Sequence, residues 1–339
     1  MASVSADRGR VFFIVGRGRS GTTLLSRMLD RHPQLAVAPE GFFIMNLRRR
    51  FARGPWSHRR VEAFCRDLLL ENRMRTWQLD IQDVRARLLA RLNSSQGLDF
   101  RSACEAVYTS YAECTAGCSD VVCVGDKNPH YGLFADRLVR LFPGARFIHI
   151  VRDARDNVLS YKQVPFDLDD TAALAYRWAR YNHELMEVAA RHPASFLRIH
   201  YERLIADPEP TLSEVCAFLG VDFEPSMLSF FERAPQGFYG EGSAWFDKLG
   251  KPLDASQARK WASDMLPSEV RLVEAVAGEA LHALGYERSS MRPGLSPIER
   301  ARAGVGWGSV AAEKAIFGIV PARWRIWFIN TYRSRTGRV

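Results

Sequence analysis

The chain has 339 residues, 47% of them hydrophobic and 25% charged, with a net charge of +9. This balance excludes a disordered or collagen-like polymer and bounds the protein to one large globular domain or two small ones. Six cysteines are present, but there is no CxxC pair and no histidine at zinc spacing beside them, so reduced thiols in a cytoplasmic protein and no metal site are expected.

The first apolar run, Val11–Val15 (VFFIV), reads as a strand. It is too short for the core of a signal peptide and leads straight into Arg17 and Arg19. A glycine-rich turn follows, then a helix around Thr22–Arg31, and Leu35–Ala38 can form a second short strand. From Phe42 to about Arg91 the chain is rich in Arg, Leu and Trp at helical spacing, which predicts helices packed over the sheet or forming a lid. Asn93–Gly97 reads as a loop and Arg101–Glu113 as a helix. Val121–Val124, ending in Gly125, predicts a buried strand, and Tyr131–Leu141 a helix ended by Pro143-Gly144. Arg146–Val151 is a strand leading into a helix over 153–161, Thr171–Arg191 a long amphipathic helix, Phe196–Tyr201 a strand, and Thr211–Leu219 a helix closing at Gly220. Strands alternating with helices predict an α/β fold with a central parallel sheet flanked by helices in three layers. Beyond Ser289 the chain is punctuated by Pro and Gly, and Val305–Tyr332 is rich in Trp, Ile, Phe and Arg. Residues 1–290 therefore read as the main domain and 291–339 as an amphipathic tail.

Gly16-Arg17-Gly18-Arg19-Ser20-Gly21-Thr22-Thr23 fits three nucleotide-binding patterns. As GxGxxG it matches a dinucleotide fingerprint, with Glu40 near the offset of a ribose-binding acid. As GxxxxG followed by hydroxyls it matches the frame of a P-loop, but Thr22 stands where the phosphate-neutralising lysine belongs. In the third reading Arg19 supplies that cation, and Ser20, Thr22, Thr23 and the backbone N–H groups cradle a 5′-phosphate bearing a transferable group, without metal.

A second motif orders these readings. Ile148–Val151 runs into Arg152-Asp153-Ala154-Arg155-Asp156-Asn157-Val158-Leu159-Ser160. Arg152 at the strand end and Ser160 on the next helix can meet on a second phosphate, and guanidinium contacts of that kind are strong and selective. A nucleotide phosphorylated at both 3′ and 5′ positions needs such a site; a dehydrogenase or GTPase does not.

With GRGRSGTTLL and VRDARDNVLSY in this order, the chain resembles the sulfotransferases that use 3′-phosphoadenosine 5′-phosphosulfate (PAPS), especially the tyrosylprotein branch and its bacterial relatives. The resemblance covers about residues 10–265. It implies a P-loop-like fold in which Arg17, Gly18, Arg19, Ser20, Gly21, Thr22 and Thr23 hold the 5′-phosphosulfate, and Arg152 and Ser160 the 3′-phosphate. RSGTTLLSRMLDRHPQLAVAPE resembles the run from loop to catalytic base, which implies that role for Glu40. Asp126-Lys127-Asn128-Pro129 resembles an element whose lysine faces the sulfuryl group, Tyr201-Glu202-Arg203-Leu204 one whose tyrosine touches the nucleotide, and Lys251-Pro252-Leu253-Asp254 with Lys260-Trp261 a late loop over the cofactor. A position that is basic in the tyrosylprotein branch is Val164 here.

The implied activity is transfer of a sulfuryl group to a hydroxyl or amine, with Glu40 as base and Arg19 and Lys127 stabilising developing charge. His130 is the rival base, His32 more naturally caps the first helix, and Asp126 can hold Lys127 in an ion pair. Residues 42–119 are expected to shape the pocket of a small-molecule, carbohydrate or glycolipid acceptor, where Arg48-Arg49-Arg50 and Arg53 can guide an anion or form a solvated face. No nucleic-acid partner is expected. The tail, with Trp307, Trp324, Trp327 and Phe328, can dock peripherally on a membrane, pack on the main domain or form a homodimer. The competing functions are a degenerate P-loop kinase or NTPase and a non-catalytic nucleotide-binding protein.

Overall fold

The computed structural model describes residues 10–116, 121–164, 169–232, 249–289 and 294–319. Five strands, β1 (Arg10–Val15), β2 (Leu35–Ala38), β3 (Cys123–Lys127), β4 (Arg146–Val151) and β5 (Phe196–His200), form one parallel sheet in the order β2-β3-β1-β4-β5. Parallel strands need crossovers, and helices on both faces bury their side chains, so β1 reads as an apolar run from Val11 to Val15 and β4 as one broken only by the buried His149. Residues alternate between the two faces. Phe13, Val15 and Phe147 pack on one face and Phe12, Ile14, Ile148 and Ile150 on the other.

Helix α1 (Thr22–Leu29) follows β1 and covers the second of these faces. Helices α2 (Phe43–Phe51), α3 (His58–Leu70), α4 (Ile81–Leu92) and α5 (Phe100–Ala116) carry the chain across the first face, where Phe43, Phe64, Leu88 and Tyr108 are buried. Helix α6 (Ala135–Leu141) precedes β4, and α7 (Ala154–Lys162) and α8 (Thr171–Arg191) follow it. After β5 come α9 (Tyr201–Ala206), α10 (Pro208–Leu219), the short α11 (Trp261–Asp264) and α12 (Pro267–Ala283). Helix α13 (Pro297–Ile319) closes the described chain and packs on α8, as α12 does.

Helix 171–191 forms where its amphipathic pattern predicts. The third strand does not stop at residue 124. Pairing with β1 carries it through Gly125↔Phe12, Asp126↔Phe13 and Lys127↔Ile14. Gly125 permits this because a Cβ there would collide with the Phe12 ring. The predicted helix 131–141 opens as a 3₁₀ turn over Pro129–Phe134, and Tyr201, read as the last residue of a strand, is instead the first residue of α9. The tail contributes a helix beginning at Pro297, whereas Trp324, Trp327 and Phe328 lie outside the described residues.

The ring of Phe13 stacks on Phe147 at 5.1 Å between centroids, and Phe147 stacks on Phe196 at 4.7 Å, fixing β1, β4 and β5 side by side. Removing such a fully buried ring deletes its transfer energy and leaves a cavity. Phe13→Ala is expected to lose about 3–5 kcal/mol of stability, measured as a lowered urea midpoint with an unchanged slope.

Candidate active site

Parallel strands all end at the same edge, and ligands of such sheets bind beyond it. Gly16, Glu40, Lys127, Arg152 and Tyr201 each lie at or just past a strand end. The loop after β1 is forced into an unusual path. Arg19 has φ 63 and Gly21 has φ 95, both left-handed. At Gly21 a Cβ would strike the Tyr201 ring at 2.5 Å, so only glycine lets the loop lie against that ring. Gly21 is also the N-cap of α1 and offers no capping side chain. The first N–H groups of α1 and the positive end of its dipole therefore remain available to an anion.

The second motif meets this loop directly. The Arg19 Nε donates to Ser160 Oγ at 3.2 Å, and Arg152 donates to the Arg19 carbonyl at 3.4 Å. Asn157 donates to the Gly18 carbonyl at 2.8 Å and to Ser20 Oγ at 3.1 Å, stitching α7 to the loop from below. Between the two motifs lies a cleft of about 500 Å³, lined by Arg19, Thr22, Thr23, Arg152, Ser160 and Tyr201 with Lys251 and Lys260 across it. The Arg152 guanidinium stacks over Tyr201 at 4.5 Å, while its buried Nε has no hydrogen-bond partner. Burial, together with the charge of Arg152, depresses the pKa of the Arg19 guanidinium. An anion between the two would relieve that cost.

The segment 251–261 is tied across the cleft by main-chain bonds. Arg152 donates to the Gln257 carbonyl at 2.9 Å, and the Asp156 carboxylate accepts from the amides of Arg259 (2.8 Å) and Trp261 (2.9 Å). Beneath it Arg155 is locked in a buried network, paired with Asp153 and, at 2.7 Å, with Glu274, and stacked on Trp261 at 3.7 Å.

At the other end, beside Thr23, stand Lys127 and Glu40. Lys127 is 0% exposed. Its Nζ donates to Glu40 at 2.7 Å and to Thr23 Oγ1 at 3.3 Å. The Glu40 segment is held by Asn128 Nδ2 and the Tyr131 hydroxyl, which both donate to the Gly41 carbonyl at 3.0 Å. Asp126 does not serve Lys127. Neighbours on a strand point to opposite faces, and Asp126 instead accepts from the buried Tyr108 hydroxyl at 2.5 Å. His32 is structural: Gln34 N–H donates to its Nδ1 at 3.0 Å, and its Nε2 lies 2.8 Å from the Asp222 carbonyl. His130 faces α13, with Nδ1 at 2.6 Å from Glu313.

Arg19, Gly21, Thr22, Thr23, Arg152, Ser160, Tyr201, Lys251 and Lys260 thus share one cleft. Arg17 is placed differently. It is buried, with its guanidinium 4.1 Å from the Tyr161 ring centroid and 5.0 Å from that of Tyr181. Gly18 and Ser20 serve the loop's own geometry through Asn157. The roles of Asn157 and Asp156 escaped sequence reasoning, although both sit in the second motif. Two polar residues in the first turn of a helix that follows Arg152 are the signal that was present.

The model of the sulfotransferase family matches residues 12–225, a span running from β1 past α10 and containing both candidate anion-binding motifs, Glu40 and Lys127. The chain belongs to the sulfotransferase family. This sulfotransferase is 25% identical to protein-tyrosine sulfotransferase 1 of Danio rerio, over 84% of this chain and 74% of that protein. It is 27% identical to nodulation protein NoeE of Sinorhizobium fredii, over 82% of this chain and 66% of that one. In fold it is similar to the sulfotransferase domain of the Synechococcus PCC 7002 olefin synthase, with a TM-score of 0.54 and 23% identity over 84% of this chain and 98% of that one.

Burial pushes the Asp126 carboxyl up to about 8, against the lowering effects of the Tyr108 hydroxyl and Lys127. The folded state then binds a proton that the unfolded chain releases near pH 4. This group's contribution to stability is complete below that pH and is lost as pH rises towards 8. Asp126→Asn is expected to flatten the decline in urea midpoint between pH 5 and pH 8. Equal declines in both proteins would count against a protonated Asp126.

Proposed function

We propose that this sulfotransferase moves the sulfuryl group of PAPS to a hydroxyl or amine acceptor, with Glu40 as general base. The observation that carries this reading is the contact of Arg19 with Ser160, which joins the two phosphate-binding motifs into one cleft. A ligand with a single phosphate run would use only the loop before α1. A nucleotide phosphorylated at both ends suits both: the 5′-phosphosulfate at the α1 N-terminus with Arg19, and the 3′-phosphate at Arg152 and Ser160. The unsatisfied Arg152 Nε and the lysines 251 and 260 fit that charge.

In the transfer, the acceptor oxygen or nitrogen forms a bond to sulfur as the bond from sulfur to the bridging phosphate oxygen breaks. The electron pair leaves with adenosine 3′,5′-bisphosphate, and the acceptor's proton passes to Glu40. Lys127, aligned between Glu40 and Thr23, and Arg19 stabilise charge on the bridging and sulfuryl oxygens. Their positions are fixed by strand register and packing, so little reorganisation accompanies the reaction. Residues 42–119 shape the acceptor side of a domain covering residues 1–290, and a hydroxyl on a small molecule, carbohydrate or glycolipid is the proposed acceptor class. Catalysis needs no metal in this scheme.

Glu40→Gln is expected to lower turnover at saturating PAPS about 10²–10⁴-fold while leaving the affinity for adenosine 3′,5′-bisphosphate within about threefold, because the amide oxygen can still accept from Lys127. Near-full turnover would sink the assignment. Arg152→Ala should cost the bisphosphate about 1.5–3 kcal/mol of binding energy and AMP much less, as read by calorimetry. Equal losses for the two nucleotides would remove Arg152 from the 3′-phosphate.

A further inference from the structure

Helix α13 is pinned to the domain in one rotational setting. Gly306 lies so close to α8 that a Cβ there would meet the Ala173 carbonyl oxygen at 2.5 Å and its Cα at 3.0 Å. Val310 and Ala303 are buried on the same side. Glu313 reaches His130 (2.6 Å), Tyr181 (2.8 Å) and Arg177 (3.1 Å), and Arg177 also donates to Ser309 at 3.1 Å. Burial alone would raise the Glu313 pKa, but these partners, His130 first among them, outweigh it and hold the carboxyl at about 2.

The rest of the helix surface is therefore fixed as an outer face, and that face is apolar. Ile298 is 67% exposed, Val305 56% and Trp307 61%. Ile298 and Val305 are two turns apart along one edge of this face, with the exposed Ala301 and Ala312 beside them, and Trp307, half a turn round the helix, marks its opposite edge. Exposed Arg300 and Arg302 border it. In sequence, residues 320–339 carry Arg323, Arg325, Arg333, Arg335 and Arg338, no Asp or Glu, and the aromatics Trp324, Trp327 and Phe328.

We propose that the outer face of α13 seats this protein on an anionic bilayer surface. Three observations favour a lipid surface over other occupants. Arginine without any carboxylate, interleaved with tryptophan and phenylalanine, is the composition that partitions at the headgroup boundary. A second copy would bring the same arginine-rich segment against itself, and a net charge of +9 adds to that repulsion. No helix among the described residues is long and apolar enough to cross a membrane, so contact through α13 lies along the surface.

The test uses the full chain with vesicles of phosphatidylcholine alone and with added phosphatidylglycerol, in low and physiological salt, read by co-sedimentation. Wild-type protein is expected to pellet with the anionic vesicles and to bind neutral ones about tenfold less. Val305→Glu/Trp307→Glu is expected to weaken anionic binding about tenfold or more at an unchanged thermal unfolding midpoint. If that variant unfolds, Arg300→Glu/Arg302→Glu takes its place with the same expectation. Wild-type protein remaining in the supernatant with both vesicles would overturn the proposal, as would undiminished binding of a folded variant. So would a dimer by light scattering that the variant abolishes, since a second copy would then be the occupant.

Discussion

A lysine with no exposed surface must have its ammonium group satisfied by the protein, and here Glu40 and Thr23 do so. Leaving such a charge unpaired would cost several kcal/mol. That requirement ties together three separate parts of the chain. Lys127 ends β3, Glu40 follows β2, and Thr23 opens the helix after β1. Because β1 lies beside β3 and β3 beside β2 in parallel register, the three side chains reach one point only if the sheet order is correct. The pair is thus a reporter of the fold as well as the proposed reactive centre. It also couples the two proposed roles, since a proton taken up by Glu40 alters the field at Lys127 beside the transferred group.

The two candidate anion-binding motifs were legible because they are local. A strand, a glycine turn and a helix start follow one another without interruption in Val11–Thr23, and again, without the glycines, in Ile148–Ser160. Short-range patterns of this kind carry their geometry with them. The positions of β1 and β4, the alternating element order and the length of α8 were readable for the same reason. Placing both motifs at one edge followed from topology, and the structure shows the Arg19–Ser160 contact that results.

What could not be read depends on approach between distant segments. Nothing in the sequence says that Asp126 turns to Tyr108 while Lys127 turns to Glu40; that follows from where β3 ends, and its end is set by pairing with β1. Arg17 and Arg19 look equivalent as written. The left-handed backbone at Arg19 sends one guanidinium to Ser160, and the other is taken by the rings of Tyr161 and Tyr181 on helices far along the chain. His130 is three residues from Lys127 in sequence, yet its partner is Glu313 on α13, 183 residues later in the chain.

The strap over the cleft has a kinetic meaning of its own. Asp156 grips it through two amides, those of Arg259 and Trp261, and Arg152 through one carbonyl, that of Gln257. These bonds lie outside the sheet, so they can break in a local opening that leaves β1 and β4 intact. Two clocks then run in one molecule: exchange of the amide hydrogens at 259 and 261 follows the opening of the strap, and exchange in the central strands follows global unfolding. A nucleotide that bridges Arg152 and the strap would slow the first clock without touching the second, so under the proposed function release of the nucleotide product and mobility of this short segment would be the same event.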